Sequence, residues 1–131
     1  MAILLSWDNP EKTIIRYDFD PKWSWQDFRT AMDEDDAMIN SVAHTVHLVF
    51  DMREIEGIPP NPMAQFPSVA NVVHPRLGMI VFVGSDSWAR TALEIFYKVY
   101  GRRLEGLSGV ASVPTLDEAR AIIASHTAQV P

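Results

Sequence analysis

The chain has 131 residues, of which 47% are hydrophobic and 21% are charged, and its formal net charge is −6. This length and balance predict one globular domain over residues 1–131 and argue against a disordered chain. The acidic charge disfavours nucleic acid as a partner, because a phosphate backbone is bound by a basic face, and the absence of cysteine excludes disulfides and thiolate metal sites.

The sequence predicts neither a membrane-spanning segment nor a signal peptide. Its apolar runs fall short of the roughly 20 residues that span a bilayer, so no membrane span is predicted. Residues 1–8 lack the basic region and long apolar core of a signal peptide. We therefore expect a cytoplasmic protein.

Two short strands are predicted at the start of the chain. Residues 3–7 are mostly apolar, and residues 12–19 are rich in β-branched and aromatic side chains. Between them, residues 8–11 combine Asp, Asn and Pro, which favour a tight turn. The pattern predicts a β-hairpin with a four-residue turn.

The first long helix is predicted to begin after Ser24, with Asp27 completing a capping box. Asp35 interrupts its apolar face, which is marked by Trp25, Phe28, Met32, Ile39 and Val42. The acidic run at residues 33–36 resembles a metal site only superficially, because consecutive helix positions point in different directions and cannot converge on one ion. A solvated helix face is the simpler interpretation.

Residues 45–51 predict a third strand that ends at Asp51. His44 and His47 are three residues apart and should point to opposite faces, which disfavours a zinc pair. Asp51 is the more interesting residue, because ligands of parallel α/β sheets gather at the carboxyl ends of the strands. A loop or capping role is the alternative for Asp51.

The longest irregular stretch, residues 52–67, includes the start of a predicted helix. Asn61 suits the cap and Pro62 the first helical position, although residues 58–62 also look like a polyproline-type partner motif. The helix is predicted to continue to residue 73, with Pro67 kinking it.

Residues 77–101 form the most strongly patterned stretch of the chain. Residues 77–83 are apolar at nearly every position, which predicts a central parallel strand covered on both faces. A turn at residues 84–87 leads into a helix over residues 88–100. Ser85 or Asp86 would cap that helix, and the turn could alternatively hold an anion through its backbone N–H groups.

A weak strand at residues 110–113 and a final helix complete the predicted chain. Thr115 and Glu118 form a capping box, and Leu116, Ala119, Ile122 and Ile123 form the inner helix face. Residues 127–131 are expected to fray.

The resulting order is β-β-α-β-α-β-α-β-α. It predicts an α/β fold in which an N-terminal β-hairpin is followed by βα repeats, with a mixed, mostly parallel sheet and right-handed crossovers. Three catalytic motifs are absent from the sequence, namely G-x-S-x-G, the P-loop and a strand-associated G-x-G-x-x-G. We therefore expect no enzymatic activity and no cofactor.

Three segments give the chain a resemblance to a known family. Residues 46–53, 77–84 and 113–119 read VHLVFDMR, LGMIVFVG and VPTLDEA. They resemble the third strand, the next strand and the closing helix of the STAS family, the fold of bacterial anti-sigma-factor antagonists, and especially its SEC14-like branch. The resemblance implies a regulatory module that docks proteins, while some members bind nucleotides or apolar ligands.

The sequence departs from the pattern of the STAS family at one place. Regulated members carry a phosphorylatable serine just after the strand that corresponds to residues 46–51. Residues 52–67 contain no serine or threonine, so no phosphorylation site is carried over.

The leading functional expectation is a STAS-like binding module that docks a protein partner or itself. The alternative is a SEC14-like carrier or sensor of a small apolar ligand or lipid, motivated by the set Met52, Met63, Phe66, Met79 and Phe82. In either case we expect the site at the carboxyl ends of the central strands, with Asp51, Arg53, Ser85 and Asp86 as its candidate residues.

Overall fold

The computed structural model describes residues 2–57, 59–60, 64, 74, 76–84, 94 and 109–129. These residues contain five strands and two long helices, in the order β1 (Ile3–Trp7), β2 (Ile14–Phe19), α1 (Trp25–Asn40), β3 (Val46–Asp51), β4 (Leu77–Val83), β5 (Gly109–Val113) and α2 (Leu116–Gln129). The two helices predicted over residues 62–73 and 88–100 lie outside the described residues, apart from Ala64 and Glu94, which are helical.

The five strands form one mixed sheet in the order β1-β2-β3-β4-β5. β1 pairs antiparallel with β2, and every later neighbour pairs in parallel. The predicted α/β fold with an N-terminal hairpin is therefore confirmed. β4 lies between β3 and β5 and all seven of its residues are buried, which confirms the central strand predicted from its continuous apolar run.

The hairpin connection is longer than the predicted four residues. Asn9 Oδ1 accepts the backbone N–H groups of Thr13 at 3.0 Å and Ile14 at 3.3 Å, and Lys12 adopts a left-handed backbone with φ of 58°. This side-chain turn keeps Lys12 and Thr13 from pairing with β1, although the Thr13 carbonyl accepts the N–H of His47 in β3 at 2.8 Å. The second strand consequently begins at Ile14 and not at residue 12.

Helix α1 begins as predicted. Ser24 Oγ accepts the N–H of Asp27 at 3.1 Å, and Asp27 Oδ2 accepts the N–H of Ser24 at 2.9 Å, which completes the capping box. The prediction of a fully solvated acidic face is wrong for Asp35, which is only 6% exposed. Asp35 lies seven residues after Phe28 and four before Ile39, so helical periodicity places it on the buried face.

Each face of the sheet has its own core. The α1 face holds an aromatic cluster that includes Tyr17, Phe19, Phe28, Phe50 and Phe82. Among the described residues, the core on the α2 face is the smaller one, and its buried members are Ile14, Val49, Met79, Val81, Val83, Ala119 and Ile123. Alternation along the strands thus puts polar residues of β2 and β3 on the α2 face, beside the end of that smaller core.

Helix α2 follows its predicted cap and inner face. Thr115 Oγ1 accepts the N–H of Glu118 at 3.1 Å, and Ala119 and Ile123 are buried against the sheet. The helix extends to Gln129, within the segment from residue 127 that was expected to fray, and residues 124–129 contain no helix-breaking Gly or Pro. Neither described helix is long and apolar enough to cross a membrane.

Candidate functional site

A cleft of about 470 Å³ opens at the carboxyl ends of β2 and β3, next to the first residue of α2. We call it the strand-end cleft, and define it by the residues that line it: Arg16, Asp18, Phe19, Asp20, Asp51, Arg53, Glu54 and Leu116. When all are ionised, its four carboxylates exceed its two arginines by two negative charges. The cleft is therefore a polar and acidic surface, not an apolar ligand chamber.

The parallel register brings two acids face to face in this cleft. Asp18 of β2 is the direct partner of Asp51 of β3, so their carboxylates leave the sheet on the same side. Like charges at opposed strand positions repel each other. Arg16 and Arg53 offset this repulsion, because each arginine forms an ion pair with one of the two acids.

Asp51 and Arg53 form a two-pronged ion pair at the end of β3. Arg53 Nη2 donates to Asp51 Oδ2 at 2.8 Å, and Arg53 Nε donates to Oδ1 at 2.9 Å. Asp51 Oδ1 also accepts the backbone N–H of Arg53 at 3.3 Å, which shapes the first turn of the loop. Although burial raises the pKa of Asp51, these contacts with Arg53 outweigh it and hold the pKa below its ordinary value.

Arg16 links the cleft to the hairpin. Its Nε lies 3.0 Å from Asp18 Oδ1, and its Nη1 lies 3.4 Å from Asp8 Oδ1. Both arginines of the cleft are thus occupied by carboxylates of the same chain. They position acids and contribute little free positive charge to a ligand.

The remaining two acids of the cleft are not neutralised in this way. Asp20 and Glu54 are exposed, and the structure gives neither of them an ion-pair partner among the described residues. The excess negative charge therefore lies at the mouth of the cleft, where a partner can reach it.

An ion pair whose carboxylate is buried and whose arginine is partly exposed lies beside the cleft. Arg120 of α2 donates from Nε to Asp8 Oδ2 at 2.8 Å and from Nη2 to Asp8 Oδ1 at 2.9 Å. Only 4% of the Asp8 side chain is exposed, whereas 41% of Arg120 is exposed. The hydrogen bonds from Arg120 lower the pKa of Asp8 and outweigh the opposing effect of burial. Sequence reasoning treated Asp8 as a plain turn residue and missed this pair.

The loop after Asp51 is fastened to the start of α1. Trp25 Nε1 donates to the carbonyl oxygens of Pro60 at 2.9 Å and Pro59 at 3.3 Å. The N–H of Glu56 donates to the carbonyl of Pro21 at 2.9 Å. These bonds fix the path of the segment that carries two residues of the cleft.

Of the four predicted site residues, Asp51 and Arg53 are brought together in the strand-end cleft. Ser85 and Asp86 lie outside the described residues. The strand ends themselves do converge, since Met52 N–H donates to the Val83 carbonyl at 2.8 Å and Gly84 N–H to the Val113 carbonyl at 3.2 Å. The sequence reasoning did not identify Arg16, Asp18, Asp20 and Glu54, which the parallel register and the loop bring to the same place.

The histidines do not form the kind of site that their spacing first suggests. His44 Nε2 lies 2.8 Å from the carbonyl oxygen of Lys12, while His47 is buried on the α2 face with its ring 6.3 Å from that of His126. Burial lowers the pKa of His47, and the nearby His126 lowers it further. Among the residues that the structure describes, no group of three or more histidines or carboxylates could hold a metal ion.

Comparison with known proteins gives no family assignment. No protein-family model matches the chain, and no curated protein matches it either.

Proposed function

We propose that the chain is a non-enzymatic, STAS-like regulatory module that binds a protein partner through the strand-end cleft. The observation that carries this proposal is the cleft itself, an open acidic surface at the carboxyl ends of two parallel strands. Loop positions at strand ends serve binding more often than packing. The hairpin followed by consecutive parallel strands also agrees with the fold that the STAS resemblance implies.

The charges of the cleft favour a partner that presents a lysine or an arginine. Arg16 and Arg53 are already paired, so the groups open to a partner are the exposed carboxylates of Asp20 and Glu54. Phe19 and Leu116 supply apolar wall against which the aliphatic stem of a basic side chain can pack. Charge complementarity of this kind chiefly sets specificity and association rate.

Regulation by a phosphoserine is not part of the proposal. Residues 52–67, where regulated STAS proteins carry that serine, contain no hydroxyl side chain. At this position the chain instead has the internally paired Asp51 and Arg53. Incubation with serine kinases of this signalling class should leave residues 52–67 unmodified.

A carrier of an apolar ligand stays the alternative function, and the described contacts favour it less. Met52 and Phe82 belong to the core on the α1 face, whereas Met79 belongs to the core on the α2 face. These three residues of the candidate apolar set are therefore divided by the sheet. Met63 and Phe66 lie outside the described residues.

The test compares two charge-matched double variants in a binding experiment. Asp20→Asn with Glu54→Gln neutralises the mouth of the cleft, while Asp33→Asn with Glu34→Gln removes the same two charges from the exposed side of α1. Proteins captured from the source cells are identified, produced in recombinant form, and measured for affinity by titration calorimetry. We expect a partner whose affinity falls at least tenfold with the cleft variant and changes little with the control.

Two further measurements make the proposal falsifiable. Sedimentation of the same variants distinguishes a separate partner from a second copy of the chain. Native mass spectrometry of the purified protein detects any ligand that is carried through purification, which would favour the carrier. If every captured protein binds the two variants equally well, the cleft is not the docking surface.

A further inference from the structure

The core beneath α1 contains a carboxyl group of which one oxygen, Asp35 Oδ1, has no hydrogen-bond partner among the described residues. Asp35 is 6% exposed and Tyr17, which lies below it on β2, is fully buried. The two side chains interact, but more loosely than in a formed hydrogen bond, since neither Asp35 Oδ1 nor Tyr17 Oη has a partner with hydrogen-bond geometry. A buried carboxylate in such a place carries a far larger desolvation cost than a buried carboxylic acid does.

The described groups around Asp35 provide no positive charge to offset ionisation. From β2 it meets the Tyr17 hydroxyl, and on its own helix the nearest acting charge is that of Asp36. The side chains of β1 that pack into this core are apolar, namely Ile3, Leu5 and Trp7.

One cation does reach the same helix, but it binds elsewhere. Arg76 Nη2 donates to the backbone carbonyl of Ile39 at 2.8 Å, one turn beyond Asp35, and forms no ion pair with the carboxyl group. Burial and, to a smaller extent, the charge of Asp36 raise the pKa of Asp35 to about 7, and the interaction with Tyr17 opposes this shift only in part. The carboxyl group thus changes charge within the physiological range.

We propose that Asp35 is a proton switch, which secures α1 on the sheet while the carboxyl is protonated and loosens α1 when it ionises. The inference is independent of the proposed function. It follows from a titratable group placed among Phe28, Ala31 and Ile39 on the face of α1 that packs against the aromatic cluster.

The direction of the pH effect is fixed by proton linkage. The folded state holds a proton on Asp35 up to a higher pH than the unfolded chain does, so docking of α1 weakens as pH rises through the window between the two pKa values. A single group of this kind raises the opening equilibrium constant by up to about tenfold per pH unit in that window. Above the folded pKa the effect levels off.

The loosening should also reach the loop beside the strand-end cleft. Trp25, the first residue of α1, donates its indole N–H to Pro59 and Pro60. Movement of the start of α1 would therefore release that anchor. Backbone bonds between Met52 and Val83 hold the other end of the loop to β4 and should persist.

The experiment uses amide hydrogen exchange followed by NMR between about pH 5 and pH 8, with each rate corrected for intrinsic exchange. We expect the protection of α1 amides to fall by at least tenfold from the acidic to the alkaline end, while the amides of α2 near Ala119 and Ile123 change much less. The carboxyl ¹³C resonance of Asp35 in the unmodified protein should titrate near neutrality.

Two variants distinguish the effect of the Asp35 carboxyl group from a general effect of charge on α1. Asp35→Asn mimics the neutral form and should give α1 amides a protection that no longer depends on pH. Asp33→Asn removes an exposed charge from the same helix and should keep the pH dependence of the unmodified protein. The proposal is overturned if Asp35→Asn retains that dependence, or if the ¹³C resonance of Asp35 titrates as an ordinary acid below about pH 5.

Discussion

The imidazole ring of His47 occupies the space into which a side chain at Gly78 would project. A Cβ atom at Gly78 would lie 2.5 Å from both Nδ1 and Cε1 of that ring. The register of β3 and β4 shifts at this point, because Val46 pairs with Leu77 but Leu48 pairs with Ile80. His47 Nδ1 accepts the N–H of Met79 at 2.9 Å and so completes the interrupted ladder with a side chain.

Gly78→Ala should therefore destabilise the fold. The added methyl must push the His47 ring aside, which costs the bond to Met79 and overpacks a buried strand, and we expect a loss of about 1–3 kcal/mol. Urea unfolding measures it. Gly57→Ala is the control, because a Cβ there meets nothing within 4 Å. Equal stability of the Gly78 variant and the unmodified protein would show that the ring has room to move.

His47 should make the fold sensitive to acid. Burial lowers its folded pKa below the value in the unfolded chain, so its contribution is complete above about pH 6.5 and is lost as pH falls below that value. Protonation of Nδ1 would also remove the acceptor for Met79.

The measurement is urea unfolding between about pH 5 and pH 8 in an Asp35→Asn background, which keeps the opposite titration of Asp35 out of the data. Adding His47→Gln should flatten the acid side of the curve. Adding His44→Gln, which changes an exposed histidine, should leave the curve as it is. If stability still falls at acidic pH in the variant without His47, another group causes that loss.

The pair of Asp8 and Arg120 should respond asymmetrically to the removal of each partner. Arg120→Met leaves a nearly buried carboxylate with only Arg16 at 3.4 Å, and we expect a loss of about 1–3 kcal/mol. Asp8→Asn leaves Arg120 able to turn into water, so it should cost less. Arg120→Lys should recover only part of the loss, because an ammonium cannot reproduce the two-pronged geometry.

Asp117→Asn provides the control for this series. Asp117 also pairs with Arg120, at 3.3 Å, but its side chain is 95% exposed. Removing it should change the free energy of unfolding by no more than about 0.5 kcal/mol. A double-mutant cycle in thermal and urea unfolding gives the coupling energy; a cycle with no coupling would mean that the pair contributes nothing beyond its separate groups.

Substitutions at Phe82 and Asp51 should affect the stability of the fold to different extents. Phe82→Ala removes a buried ring that packs 5.3 Å from the ring of Phe50, and should cost about 3–5 kcal/mol. Asp51→Asn should cost about 1 kcal/mol or less, because its partner Arg53 is 47% exposed. Thermal melting compares the two variants. If Asp51→Asn melts as early as Phe82→Ala, Asp51 has a structural role and is not primarily a residue of the binding site.

The parts of the fold that were predicted correctly are those with local signals. Ser24 and Asp27 lie three residues apart before an apolar helical stripe, a pattern typical of a helix start, and residues 77–83 contain no charged or polar side chain. Both features depend on neighbours along the chain. Asp35 was predicted incorrectly because a single acid within an apolar stripe looks like an interruption, although the periodicity continues through it.

The site was only half predictable for a different reason. Asp51 and Arg53 were found because they follow a strand end, but Asp18 joins them only through the parallel register of β2 and β3. Arg120 is 112 residues from Asp8, and no sequence spacing relates them. Gly78 did carry a usable signal, since an isolated glycine within a strand marks a bulge or a close approach.

The ion pair of Asp8 and Arg120 also sets an order of events during synthesis of the chain. At roughly 5–20 residues per second, a ribosome needs roughly 6–22 seconds to add the 112 residues that separate the two partners. Until Arg120 is made, Arg16 is the only one of the two cationic partners of Asp8 that the growing chain contains. The hairpin turn that carries Asp8 is made early, but its contacts are complete only after most of the chain has been synthesised.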